Sequence, residues 1–169
     1  MRVAEYLYQF SLYLGMEPEW CNKAYTIGTF HDIGKLKLPS TLLNKAGPLT
    51  GDEFEIIKKH TSYGAEIIQQ IPRIPSDFPE IILYHHENID GSGYHGIEGK
   101  HIPMLSRMIR IVDTYDTMLN GRVYQNPVSE KQAVEELMRF RGAIYDDELV
   151  QSFVEMLNGV NQIELISAR

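Results

Sequence analysis

The 169 residues, 43% of them hydrophobic, suit a single domain spanning 1–169 with a sizeable core, and they exclude a disordered chain. A formal net charge of −7 excludes a broad surface for DNA or RNA polymers, which needs basic residues, but not a small phosphorylated ligand met by bound cations. The single cysteine, Cys21, excludes an internal disulfide, and no apolar run approaches a membrane span, so a cytoplasmic protein without a membrane partner is expected.

Helical periodicity dominates from the start. Val3, Leu7, Phe10 and Leu14 mark one face of a first helix that stops near Gly15. Pro18 is placed to open a second helix, which runs through Trp20 and Ile27 to about Gly34. Lys35 to Pro48 reads as a loop with one helical turn. Thr50 and Glu53 have the spacing of a capping box, and the helix they open carries Phe54, Ile57, Thr61, Ala65 and Ile68 on one face. Pro72, Pro75 and Pro79 then break the pattern before a shorter helix ending around His86. Asn88 to Gly99 holds four glycines and must be a loop. After Pro103 a helix turns Leu105, Met108, Val112, Tyr115 and Leu119 inward. Ser129 and Gln132 form a second capping box, and Asp146 is the N-cap of a last helix with Leu149, Phe153 and Met156 on one face. No segment alternates with period two. The expected class is all-α, about seven helices with one long glycine-rich loop.

Polar residues interrupt this apolar pattern at helix ends. His31-Asp32 closes the second helix, where one side chain could offer nitrogen and the other oxygen to metal ions; a histidine placed by the helix dipole is the plainer alternative. Two of the six histidines, His85 and His86, are adjacent at the end of another helix, and Glu87 follows them. Asp113 borders the apolar stripe of its helix, where a carboxylate is costly unless it is paired or metal-bound. His60 lies one turn after Ile57, a place where a satisfied core histidine is common. Taken together, four elements deliver nitrogen or oxygen donors from turns near a core face. A hydrolytic centre of two or more metals explains all of them at once. Imidazole and carboxylate donors without clustered cysteines suit manganese, iron or zinc and argue against a structural zinc site.

The strings His-Asp-Ile-Gly-Lys at 31–35, Leu-Asn-Lys-Ala-Gly-Pro-Leu-Thr at 43–50, His-His-Glu-Asn-Ile-Asp-Gly-Ser-Gly-Tyr at 85–94, Val-Asp-Thr-Tyr-Asp at 112–116 and Arg-Val-Tyr at 122–124 resemble the HD-GYP family, in order and over nearly the whole chain. The resemblance implies an all-helical HD-type domain that hydrolyses cyclic di-GMP to linear pGpG, and in some members to GMP, with two or three divalent metals, iron or manganese. It implies metal ligation by His31, Asp32, His60, His85, His86 and Asp113, with Asp32 bridging. Asp32 and Lys35 would be catalytic, Lys35 lying beside the scissile phosphate. Gly91, Gly93 and Tyr94 would belong to the substrate-side loop, and Arg122 would contact a phosphate. Glu87 would either accept an imidazole N–H or sit at a solvated helix end. His95 would be exposed or meet substrate, and Asp116 would hold an arginine or a ligand histidine. A homodimer or a regulatory protein partner is compatible with this reading.

Three departures from the family pattern stand out. The family's first-helix histidine would fall four residues before Val3, ahead of Met1, as would the further glutamate of three-metal members. Gly-Tyr-Pro reads Gly93-Tyr94-His95, so proline's fixed φ is lost and a less rigid loop is expected. Gln125 stands where a basic residue is expected. These departures lead to the expectation of weakened turnover, with a catalytically degenerate module that senses cyclic di-GMP or binds a protein as the alternative.

Overall fold

The computed structural model describes residues 2–121 and 126–167, with side chains as far as residue 159. Among the described residues there are eight α-helices: α1 (Arg2–Tyr13), α2 (Pro18–Phe30), α3 (Ser40–Leu43), α4 (Gly51–Gln69), α5 (Phe78–Leu83), α6 (Met104–Asn120), α7 (Glu130–Arg139) and α8 (Asp147–Ser167). Two 3-10 turns, Ile33–Lys37 and Gly99–His101, complete the regular structure. The turn expected after Lys35 is the short α3, and the other seven helices are those the periodicity marks.

Local chemistry sets most of the boundaries. Gly15 leaves α1 in the left-handed region at φ 70°, and Pro18 supplies the first residue of α2. Both capping boxes form: Glu53 N–H donates to Thr50 Oγ1 while Thr50 N–H donates to the Glu53 carboxylate, and Ser129 and Gln132 repeat the exchange. Asp146 accepts from Leu149 N–H at 3.1 Å and so caps α8.

Two ends differ from expectation, and both carry histidines. α2 stops at Phe30 rather than near Gly34, and α5 stops at Leu83 rather than His86. A helix end leaves carbonyls without partners. Here the His31 ring donates to the Gly28 carbonyl and the His85 ring to the Ile82 carbonyl. Each histidine thereby closes the helix that precedes it. In α4 the inward face is His60, Thr61, Gly64 and Ile68, whereas Phe54 is largely exposed, 41% of its surface remaining in contact with solvent. The 3.6-residue stripe drifts around a 19-residue helix, so its first turn faces away from the core.

The core gathers around α6, which buries Leu105, Met108, Ile109, Ile111, Val112 and Tyr115 and meets α1, α5, α7 and α8. An edge-to-face aromatic cluster of Tyr6, Phe10, Tyr115 and Phe153 joins α1, α6 and α8. Two glycines allow the approaches that frame the site. A Cβ on Gly28 would lie 2.6 Å from Leu7 Cδ1 and 2.9 Å from the Ala4 Cα, so α1 and α2 cross here in near contact. A Cβ on Gly34 would lie 1.9 Å from the His60 carbonyl oxygen, which seats the 3-10 turn directly on the α4 backbone. His31 and Asp32 lie between these two fixed points.

Candidate metal centre

Four elements converge on one spot. The turn after α2 brings His31 and Asp32, α4 brings His60, the turn after α5 brings His85 and His86, and α6 brings Asp113. Ligand atoms of Asp32, His60, His85 and His86 all lie within 4.8 Å of one another. His31 and Asp113 join them through the second oxygen of Asp32, with His31 Nε2 3.4 Å from Asp32 Oδ2 and 3.7 Å from Asp113 Oδ1. The other oxygen, Asp32 Oδ1, lies 3.3 Å from His60 Nε2 and 4.0 Å from His85 Nε2, and the His31 and His85 rings meet edge-to-face at 5.4 Å.

The rings are set in advance for coordination. His31, His60 and His85 each direct Nδ1 at the carbonyl three residues earlier, at 2.7, 2.7 and 2.6 Å. A carbonyl only accepts, so each Nδ1 carries a proton and each Nε2 is turned inward, where it offers a lone pair to a cation once it carries no proton of its own. His60 Nε2 and His85 Nε2 are 3.4 Å apart. His31 Nε2 and Asp32 Oδ1 are buried without a hydrogen-bond partner, an arrangement that is costly in a core unless something else satisfies them. The donor set and these orphaned atoms fit a divalent transition metal.

The electrostatics divide along the same line. Burial lowers His60, pushes His85 down to about 3 with help from the His31 charge, and takes His86 well below its ordinary value with help from His85. Those three rings are neutral, as ligation requires. On the other side burial opposes charge on His31, but Asp113 and Asp32 outweigh it and raise the ring to about 10. The same contacts overcome burial to hold both carboxylates below their usual range. In the absence of a cation the proton on His31 balances this acidic pair.

Lys35 Nζ lies 2.5 Å from Asp32 Oδ2, half-exposed at the edge of the cluster. A cavity of about 500 Å³ opens beside it, walled in part by His86, Asp113, Gly93 and Tyr94. The Tyr94 ring sits 4.8 Å from that of His86. Gly91 is not on the cavity wall; it turns the loop at φ 78°. Arg122, with Gln125, lies outside the described residues. Asp116 does hold an arginine, Arg2, at 2.7 Å.

Several site residues escape sequence reasoning. Arg110 lines the cavity, with Nε donating to Asn88 Oδ1, Nη1 donating to Thr114 Oγ1, and its guanidinium over the Tyr145 ring. Its position one turn before Asp113 was the available signal. Lys58 enters the same cavity from α4, stacked near Phe54 and Tyr94. Glu87 neither accepts an imidazole proton nor faces solvent. It is 2% exposed, and its two oxygens accept from the backbone N–H groups of His95 and Ile97 at 2.8 and 2.9 Å. The loss of proline at position 95 therefore does not leave the loop untethered, since a proline has no N–H to give Glu87.

Comparison with known proteins agrees with this geometry. A family model described as HD domain matches residues 1–149. The chain is 33% identical over 157 residues to a cyclic di-GMP phosphodiesterase of Thermotoga maritima, covering 89% of this chain and 41% of that protein. It is also 33% identical over 156 residues to 3'3'-cGAMP-specific phosphodiesterase 2 of Vibrio cholerae, covering 91% of this chain and 30% of the relative. The chain thus spans less than half the length of these curated relatives. Among solved structures, Bd1817, a HDG"Y"P protein from Bdellovibrio bacteriovorus, superposes with a TM-score of 0.75 at 20% identity over 93% of this chain and 50% of that one.

Proposed function

We propose that this chain, which belongs to the HD domain family, is a metal-dependent phosphodiesterase of the HD-GYP type that opens cyclic di-GMP to linear pGpG. The observation that carries the reading is Asp32, whose two carboxylate oxygens face two different sets of donors. A carboxylate so placed suits a bridge between two ions. His60, His85 and His86 would hold one ion, and His31 with Asp113 the other. Iron or manganese suits this all-nitrogen-and-oxygen set, which has no thiolate.

Bound there, divalent ions supply Lewis acidity toward a phosphodiester and an acidified water. The chain's own residues do the rest. Lys35, already paired with Asp32 at the cluster edge, is placed to offset charge that builds on a phosphate oxygen. Tyr94 and Gly93 wall the cavity beside His86, where a nucleotide would lie, and Arg110 and Lys58 give an acidic protein local positive charge for its phosphates. Arg122 is assigned to a phosphate on resemblance alone.

The test is product analysis after anaerobic loading with Fe(II) or Mn(II), with cyclic di-GMP and 3'3'-cGAMP assayed in parallel. Linear pGpG from the loaded chain, and none from Asp32→Ala, is the expected result. Nucleotide that binds but stays intact under both metals would replace the enzyme reading with that of a sensing module. Faster cleavage of 3'3'-cGAMP would overturn the substrate assignment.

A further inference from the structure

The 88–98 loop carries Tyr94 to the cavity, and its fixation is concentrated at one residue that the metal chemistry does not use. His95 N–H donates to Glu87 Oε1 at 2.8 Å, and Ile97 N–H donates to the other oxygen at 2.9 Å. Glu87 itself is buried, and it follows His85 and His86 directly in the chain. The His95 ring reaches the opposite way, to α4. Its Nε2 lies 3.0 Å from Oγ1 of Thr61, a fully buried residue whose hydroxyl donates to the Lys58 carbonyl and so accepts from the ring. Tyr84 packs edge-to-face on the same ring, 5.8 Å away. Gly93, two residues earlier, is pressed on the Glu87 backbone so closely that a Cβ would lie 2.5 Å from the Glu87 Cα. Tyr94 is therefore held between two fixed neighbours.

We propose that His95 is a positioning residue, pinning the loop to Glu87 through its N–H and to Thr61 through its ring so that Tyr94 stays beside His86 at the cavity. The effect on substrate rests on the phosphodiesterase reading; the effect on the loop does not. A charged acceptor buried at this turn makes the N–H bond among the stronger ones in the loop. A tyrosine that must be ordered by each incoming nucleotide would weaken binding by the cost of that ordering.

The experiment compares His95→Pro, His95→Ala and His95→Gln with the parent chain by hydrogen exchange of the peptide covering 88–98, and by kcat and KM for cyclic di-GMP after Mn(II) loading. His95→Pro restores the family's signature residue but removes the N–H. With that bond gone, Ile97, which shares the Glu87 carboxylate, should exchange at least about tenfold faster, the lower end of what a lost hydrogen bond to a charged group is worth, and KM should rise by a similar factor. His95→Ala keeps the N–H and should fall between. His95→Gln keeps the N–H and offers an amide donor to Thr61, so it should stay near the parent. All variants should keep the parent's metal content, because none alters a ligand. Unchanged exchange and unchanged KM in His95→Pro would overturn the proposal. If no chain turns over any cyclic dinucleotide, the phosphodiesterase reading fails while the exchange data still decide the loop's fixation.

Discussion

At the scale of single residues, the site is built from rings whose outer nitrogen is already committed. His31, His60 and His85 each spend Nδ1 on a backbone carbonyl, and that choice leaves Nε2 pointing at Asp32. Substituting Asp32→Ala removes oxygen donors from both groups, and His86→Ala removes nitrogen from one. Asp32→Ala should weaken metal affinity at both groups and His86→Ala at one, each by at least about tenfold, so that after loading at limiting metal the first loses most of its metal and the second about half. His101→Ala changes an exposed ring in the 3-10 turn before Pro103 and should lose none. Equal losses from all three, read by elemental analysis, would point to general destabilisation. Arg110 makes a separate case. Held by Asn88, Thr114 and Tyr145, it is ordered before any ligand arrives. Arg110→Ala should raise KM for cyclic di-GMP about tenfold and leave kcat within about twofold, because it removes binding felt equally before and during reaction. A fall in kcat with KM unchanged would move Arg110 from binding to chemistry.

At the scale of elements, the glycines decide where the histidines stand. Gly34 lets the 3-10 turn touch the His60 carbonyl, and the same contact fixes Asp32 two residues earlier. Gly34→Ala forces a Cβ into a backbone atom that cannot rotate away. The cost should be at least about 2 kcal/mol, within the range for overpacked cores, and should appear as a lower midpoint in urea. Metal content should fall with it, since the α2 end would separate from α4. Gly51→Ala has open space around its Cβ and should cost far less, so equal midpoints for the two variants would contradict this account. Helix positions and caps were legible in the sequence because Thr50-Glu53 and Ser129-Gln132 act within one turn. The ends of α2 and α5 were not, because nothing in the residue pattern tells a histidine that continues a helix from one whose ring turns back to the carbonyl three residues before it. Phe54 misled for a related reason: its place on the periodic face is real, but it meets the Tyr94 ring at 5.8 Å rather than the core, and 41% of its surface stays exposed.

At the scale of the whole molecule, an acidic chain places Lys58 and Arg110 on the wall of its cavity and Lys35 at the edge of the donor cluster, where bound cations would shift the field further. The six candidate donors were legible in the sequence, His31, Asp32, His85 and His86 at helix ends, His60 and Asp113 within helices, and all six through the family resemblance. Their division around Asp32 was not, because it depends on which way two oxygens of one carboxylate point. Arg110 and the buried role of Glu87 were also hidden, since both arise where the 88–98 loop folds back on α4 and α6. The most direct test of the two-sided Asp32 is anomalous diffraction at the manganese or iron edge from crystals of the metal-loaded chain. The account predicts two peaks, one among Asp32, His60, His85 and His86 and one among Asp32, His31 and Asp113. A single peak on one side of Asp32, or none near it, would contradict it.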